Sequence, residues 1–221
     1  TPAGLFDSDM IHDRGFVNWD DMNSSACMVL QYRVRYRVVG TSGWSTKTLS
    51  GSGLCNFGFT NHSKRLLNLT PASLYEYQVK AWYCGGGNSG YSAMGNFSTL
   101  SECPNVTNFV ATVNNTTKVT FSWDTTASYS FVRIKFRETP TGSPWQQAGG
   151  FGVNYPLLSK AKNGLTPGAS YFGSARTWCN PSGGPYRATA WTSPLITWTM
   201  PTIRIEGENT AITNLEVFPN P

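Results

Sequence analysis

The chain has 221 residues, 13% of them charged and 14% aromatic, with a net charge of +5 and 35 glycines and prolines together. That length suits two modules of about a hundred residues better than one large core, and the composition favours short strands joined by many turns. No stretch carries the 3.6-residue apolar period of a helix and no apolar run is long enough to span a bilayer, which excludes a helical bundle.

No signal peptide is visible, and residue 1 falls inside a strand-like segment, so the chain is expected to be a mature or trimmed product. Alternation and turn residues predict strands over 15–19, 28–39, 45–50, 64–69, 75–83 and 89–99. A second set follows over 118–123, 130–138, 145–150, 157–164, 171–178 and 186–199. The two sets read alike. Trp19 and Trp123 end matching runs, and each is followed by an alternating basic strand, Tyr32 to Arg37 and Val132 to Arg137. A lone Trp comes next, Trp44 or Trp145. Then Leu69-Thr70-Pro71 precedes Tyr75, as Leu165-Thr166-Pro167 precedes Tyr171. Trp82 with Cys84 and Trp178 with Cys179 close the copies, and the offset drifts only from 104 to 95. A tandem duplication of one all-β module explains this order.

The expected fold is therefore two seven-stranded Greek-key sandwiches, over 1–102 and 103–200, with an extended tail over 201–221. Trp19, Trp123, Tyr75 and Tyr171 read as core or corner residues, the tyrosines bonding their hydroxyls to backbone near the turn that follows Leu-x-Pro. These motifs resemble those of fibronectin type III domains, in the variety found in secreted proteins of Bacteroidota. The resemblance covers about residues 1–200 and implies an extracellular, non-catalytic module. A second resemblance lies in the tail. Leu215, Val217, Phe218, Pro219, Asn220 and Pro221 are similar to the opening of the C-terminal sorting domain read by the type IX secretion system. It implies passage across the outer membrane, secretion machinery as a partner of the tail, and a final place outside the cell or on its surface. Thr125, in Asp124-Thr125-Thr126, resembles the O-glycosylation signal of the same organisms.

Five cysteines without a CxxC, and with neither His12 nor His62 beside any of them, argue for disulfides rather than zinc. Sandwich topology brings Cys103 to the pole where Cys179 ends its strand, and these two are expected to pair. Cys27 and Cys55 lie in loops of one pole of the first module and are also expected to pair. Cys84 is left over, with a partner preceding Thr1 or an intermolecular bond.

No catalytic constellation emerges, and no enzyme or cofactor is implied. Two histidines give general-base chemistry little material. The acidic cluster Asp7, Asp9, Asp13, Asp20 and Asp21 lacks calcium-loop spacing and reads as a solvated loop. Gly85-Gly86-Gly87 reads as a hairpin turn without the Lys and helix of a phosphate loop.

Charge is uneven. Residues 1–102 carry 8 Lys/Arg against 7 Asp/Glu, whereas 103–200 carry 8 against 2. Arg133, Lys135 and Arg137 must share one outer strand face, as must Arg33, Arg35 and Arg37. Two readings stand: a solvated face that discourages edge association, or a surface attracting acidic polysaccharide, lipopolysaccharide or an acidic neighbour. No recognition fold or basic run points to nucleic acid.

Three functions fit. One is an adhesion or spacer module of a larger exported protein. Another is a subunit of a fibre or sheath that self-associates by strand addition through the tail. The third is a carbohydrate-binding accessory module using Trp44 and Trp145, for which packing of the two rings is the competing account.

Overall fold

A computed structural model describes residues 1–50, 55, 58–140 and 142–202. The chain divides into two compact units, Thr1–Glu102 and Cys103–Pro221. The sorting-like motif falls outside the described residues.

In the first unit β1 (Phe6–Ser8), β2 (Arg14–Asn18) and β5 (Ser63–Leu67) form one antiparallel sheet in the order β1-β2-β5. The strands β3 (Val29–Val38), β4 (Ser45–Ser50), β6 (Leu74–Tyr83) and β7 (Gly95–Ser98) form the other, in the order β4-β3-β6-β7. Strand β3 shows why they face each other. Its period of two sends Tyr32, Val34 and Tyr36 inward, where none is more than 7% exposed, and leaves Arg33, Arg35 and Arg37 on the opposite face. Trp19, Leu66, Tyr75, Tyr77 and Val79 complete the core from both sheets, each large side chain adding roughly 1.5–3 kcal/mol by leaving water.

The second unit repeats the plan. Strands β8 (Thr107–Asn115), β9 (Lys118–Asp124) and β12 (Ser159–Lys162) form a sheet in the order β12-β9-β8. Strands β10 (Phe131–Glu138), β11 (Gln146–Asn154), β13 (Ser170–Trp178) and β14 (Ile196–Thr199) form a second in the order β11-β10-β13-β14. Phe121, Trp123, Val132, Ile134, Phe136 and Tyr171 lie in its core. Both tyrosines turn the same corner: Tyr75 Oη accepts from Thr70 N–H at 2.8 Å, and Tyr171 Oη accepts from Thr166 N–H at 2.9 Å.

Three departures from the expected strands have physical causes. Strands β1 and β8 were not foreseen, because alternation in them is weak and β1 leaves Phe6 58% exposed. Strand β11 runs past 150 because Gly149 and Gly150, at φ +90° and +60°, form a bulge that shifts its register against β10 between Val132 and Ile134. Strands β7 and β14 begin late, because the residues before each pair through side-chain hydroxyls rather than a regular ladder.

Cys103 and Cys179 are joined in the second unit, Cα–Cα 5.8 Å. In the first unit the structure corrects the expected pairing. Cys84 is bonded to Cys55, Cα–Cα 5.4 Å, while Cys27 is exposed and has no disulfide partner among the described residues. Cys27 sits at a tight turn closed by Ser24 N–H to Cys27 O at 3.0 Å and the return bond at 3.2 Å, outside the sandwich wall. Cys84 reaches the pole through its N–H to Met28 O at 2.9 Å. The repeat misled because Tyr83 separates Trp82 from Cys84, whereas Cys179 follows Trp178 directly. Cys84 is therefore not the structural counterpart of Cys179, and it needs no partner before Thr1.

Candidate functional site

The outer face of each four-stranded sheet carries cations in register. Across β3 and β6, Arg33 faces Lys80, Arg35 faces Gln78 and Arg37 faces Glu76. Across β10 and β13, Arg133 faces Arg176, Lys135 faces Ser174 and Arg137 faces Phe172. Aromatic rings arrive from both sides: Trp44 and Trp145 precede β4 and β11, while Tyr91 and Trp191 lie ahead of β7 and β14.

Hydroxyls place the latter pair. Ser92 N–H donates to Val79 O at 2.9 Å while Ser92 Oγ accepts from Val79 N–H at 3.0 Å. Ser89 makes the same exchange with Ala81, at 2.8 and 2.9 Å. A hydroxyl standing in for a carbonyl satisfies strand β6 while turning the backbone between the serines outward, which leaves Tyr91 over the sheet. Thr192 repeats the exchange with Ala175, at 2.8 and 3.0 Å, and leaves Trp191 in the matching place.

Cations and rings then interleave. In the first unit Arg33 stacks on Trp82 at 4.6 Å, Arg35 on Tyr91 at 3.7 Å and Trp44 at 4.5 Å, and Arg37 on Trp44 at 4.2 Å. In the second Arg133 lies on Phe151 at 4.4 Å and Trp178 at 4.7 Å. Lys135 sits over both Trp191 at 4.1 Å and Trp145 at 4.4 Å, and Arg137 over Trp145 at 4.7 Å. Each such contact contributes roughly 0.5–2 kcal/mol depending on solvation. The six cations of the expected basic face, Arg33, Arg35, Arg37, Arg133, Lys135 and Arg137, are all half-buried rather than freely solvated. In the second unit the outer layer also buries Phe131, Phe172 and Trp178, which stand apart from the interior core.

The two ladders differ in counter-charge. The first has one internal counter-charge, Glu76, whose Oε1 accepts from Arg37 Nε at 2.6 Å, and a neutral acceptor, Gln78, whose Oε1 accepts from Arg35 Nε at 3.0 Å. The second has cations at Arg133, Lys135, Arg137, Arg176 and Arg187 and, among the described residues, no carboxylate between them. Of the unit's acids up to residue 200, Asp124 accepts from Asn108 at 2.7 Å and Glu138 lies by the Tyr171 hydroxyl at 3.3 Å. Lys135 is consequently held below its ordinary pKa, first by desolvation and then by the charges of Arg176 and Arg137. Arg176 is lowered by burial and by Arg187. Arg137 Nε is buried without a hydrogen-bond acceptor.

Other sequence candidates stay dispersed. Asp13 is taken by Arg14 through bonds of 2.7 and 2.8 Å, Asp21 bonds Asn23, and no cluster of three potential metal ligands forms among the described residues. Gly86 and Gly87 adopt positive φ in the turn after β6. Thr125 lies half-buried in the turn after β9, its hydroxyl donating to Ala127 O. Trp44 and Trp145 serve as ladder rungs against these cations, Trp44 half-buried and Trp145 42% exposed. Lys80, Arg176, Arg187, Tyr91, Trp191 and Phe151 joined the site unforeseen. The shared Tyr91-Ser92 and Trp191-Thr192 dipeptides were the available signal for two of them.

No family model matches the chain, and no curated protein matches it. Among solved structures the FN1-FN3 domains of chicken CNTN1 superpose with a TM-score of 0.54 at 15% identity, covering 90% of this chain and 67% of that one. A two-domain fibronectin type III segment of chicken tenascin matches at a TM-score of 0.37 and 16% identity, covering 91% and 99%. With the strand orders above, the first of these makes the fold that of tandem fibronectin type III domains.

Proposed function

We propose that this chain is a non-catalytic adhesion module of a protein displayed outside the cell, exported through the type IX route that its tail resembles. The observation that carries the reading is the construction of its two outer sheet faces. Each is a broad, rigid strip of half-buried cations and rings on a fold whose pole is tied by a disulfide. Such a strip presents fixed charge to a large partner and offers no converging acid–base pair for turnover. Disulfides suit an oxidising compartment. The matching experiment applies purified, fluorescently labelled chain to intact cells and to their extracellular matrix. Saturable retention that survives washing is expected. Absence of retention on either would contradict adhesion.

A further inference from the structure

Three guanidinium groups surround one indole at the upper end of the second ladder. Arg133, Arg176 and Arg187 lie 4.7, 5.7 and 5.5 Å from the Trp178 ring centroid. Arg133 and Arg176 are directly opposed across β10 and β13. Backbone carbonyls fix two of the groups: Arg133 Nε donates to Phe151 O at 2.9 Å, and Arg176 donates to Ala188 O at 2.7 Å and Thr189 O at 2.9 Å. Each keeps further N–H groups free of these bonds, since a guanidinium carries five. Lys135 and Arg137 continue the row down β10, so its cations span about 13 Å at the rise of an extended strand.

Like charges this close, partly withdrawn from water and with no carboxylate among them in the described residues, raise the energy of the folded state. The first ladder reduces that cost with the carboxylate of Glu76 and the amide acceptor of Gln78 at the positions where the second has Phe172 and Ser174. The fold thus tolerates internal neutralisation at this site, and the second copy lacks it.

We propose that the outer face of the β11-β10-β13-β14 sheet binds an acidic polysaccharide, whose carboxylate or sulfate groups are received by Arg133, Arg176 and Arg187 and then by Lys135 and Arg137. The proposal rests on the adhesive reading and names its ligand. A regular row of cations fits a linear polymer with regularly repeated charge better than the irregular acids of a protein surface. Two disulfides place the chain in surroundings where polysaccharide, not nucleic acid, is the abundant polyanion. The rings position the cations, whose charge drives binding.

The test titrates the full chain with polygalacturonate, dextran sulfate, neutral dextran, polyglutamate and double-stranded DNA, at low and high salt. Binding to one or both acidic polysaccharides is expected, falling with salt, with neutral dextran inert; the polygalacturonate and dextran sulfate arms separate carboxylate from sulfate recognition. The variant Phe172→Glu with Ser174→Gln installs the first unit's carboxylate and amide acceptor without removing a cation. It should weaken binding about tenfold or more, as should the half-exposed Arg187→Gln. Lys118→Gln, on the β12-β9-β8 sheet of the same unit, should change nothing. Equal affinity for DNA or polyglutamate would overturn the polysaccharide assignment, and unchanged binding by both second-unit variants would overturn the site. Failure to bind either polysaccharide by a chain that still adheres to cells would overturn this inference alone.

Discussion

Arg37 holds Glu76 across the β3–β6 pair, Nε to Oε1 at 2.6 Å, and in the second sandwich the place of Glu76 is taken by Phe172 opposite Arg137. The exchange of one carboxylate for one ring separates a ladder with an internal counter-charge from one whose row has none among the described residues. Glu76→Phe should therefore leave Arg37 half-buried and unpaired. The first unit should lose about 1–3 kcal/mol, read by denaturant unfolding, while the second unit is unmoved. An unchanged midpoint would mean that Glu76 adds nothing to the ladder.

Tyr171→Phe should destabilise the second unit by about 1–3 kcal/mol, because Thr166 N–H is left in the corner without its acceptor at 2.9 Å. Tyr75→Phe should do the same to the first unit through Thr70. The larger loss, about 3–5 kcal/mol, belongs to Trp123→Ala, which empties a ring-sized volume in the core. Unfolding curves for the three variants check the order.

Peptide mapping without reduction should recover Cys55 linked to Cys84 and Cys103 linked to Cys179, with Cys27 open to alkylation. Breaking either bridge should cost about 3–5 kcal/mol, given loops closed across 29 and 76 residues. A Cys27–Cys55 peptide would restore the pairing expected from the sequence.

Arg14 holds the Asp13 carboxyl below its ordinary pKa through their paired hydrogen bonds. A depressed folded pKa stabilises the native state above the unfolded value of about 3.9. That contribution is lost as pH falls through the folded value. Acid titration of the first unit's stability should show this loss in the wild type and a smaller one in Asp13→Asn. Identical acid profiles would remove the pair from the account.

Local pattern made much of this fold legible. The alternation in β3 and β10 put the right side chains inward, and Leu-Thr-Pro with its Tyr gave both corners, because each signal lies within one strand or turn. The ladders needed information from elsewhere. Phe151 reaches Arg133 only through the bulge at Gly149 and Gly150, and Tyr91 and Trp191 depend on hydroxyls bonding a neighbouring strand. Lys80, Arg176 and Arg187 come from strands or loops whose register no single segment specifies. The partner of Cys84 turned on a one-residue difference after Trp82 that the repeat concealed.

Hydrogen exchange with and without an acidic polysaccharide tests the central claim most directly, since both ladders are in one molecule and each serves as the other's control. Added dextran sulfate or polygalacturonate should slow exchange in Phe131–Glu138 and Ser170–Trp178, because a ligand that binds the native state alone lowers the population of open forms. Val29–Val38 and Leu74–Tyr83, whose ladder carries its own carboxylate, should exchange as before. Equal protection of both pairs, or protection of the first alone, would contradict the assignment of the second ladder as the anion-binding face.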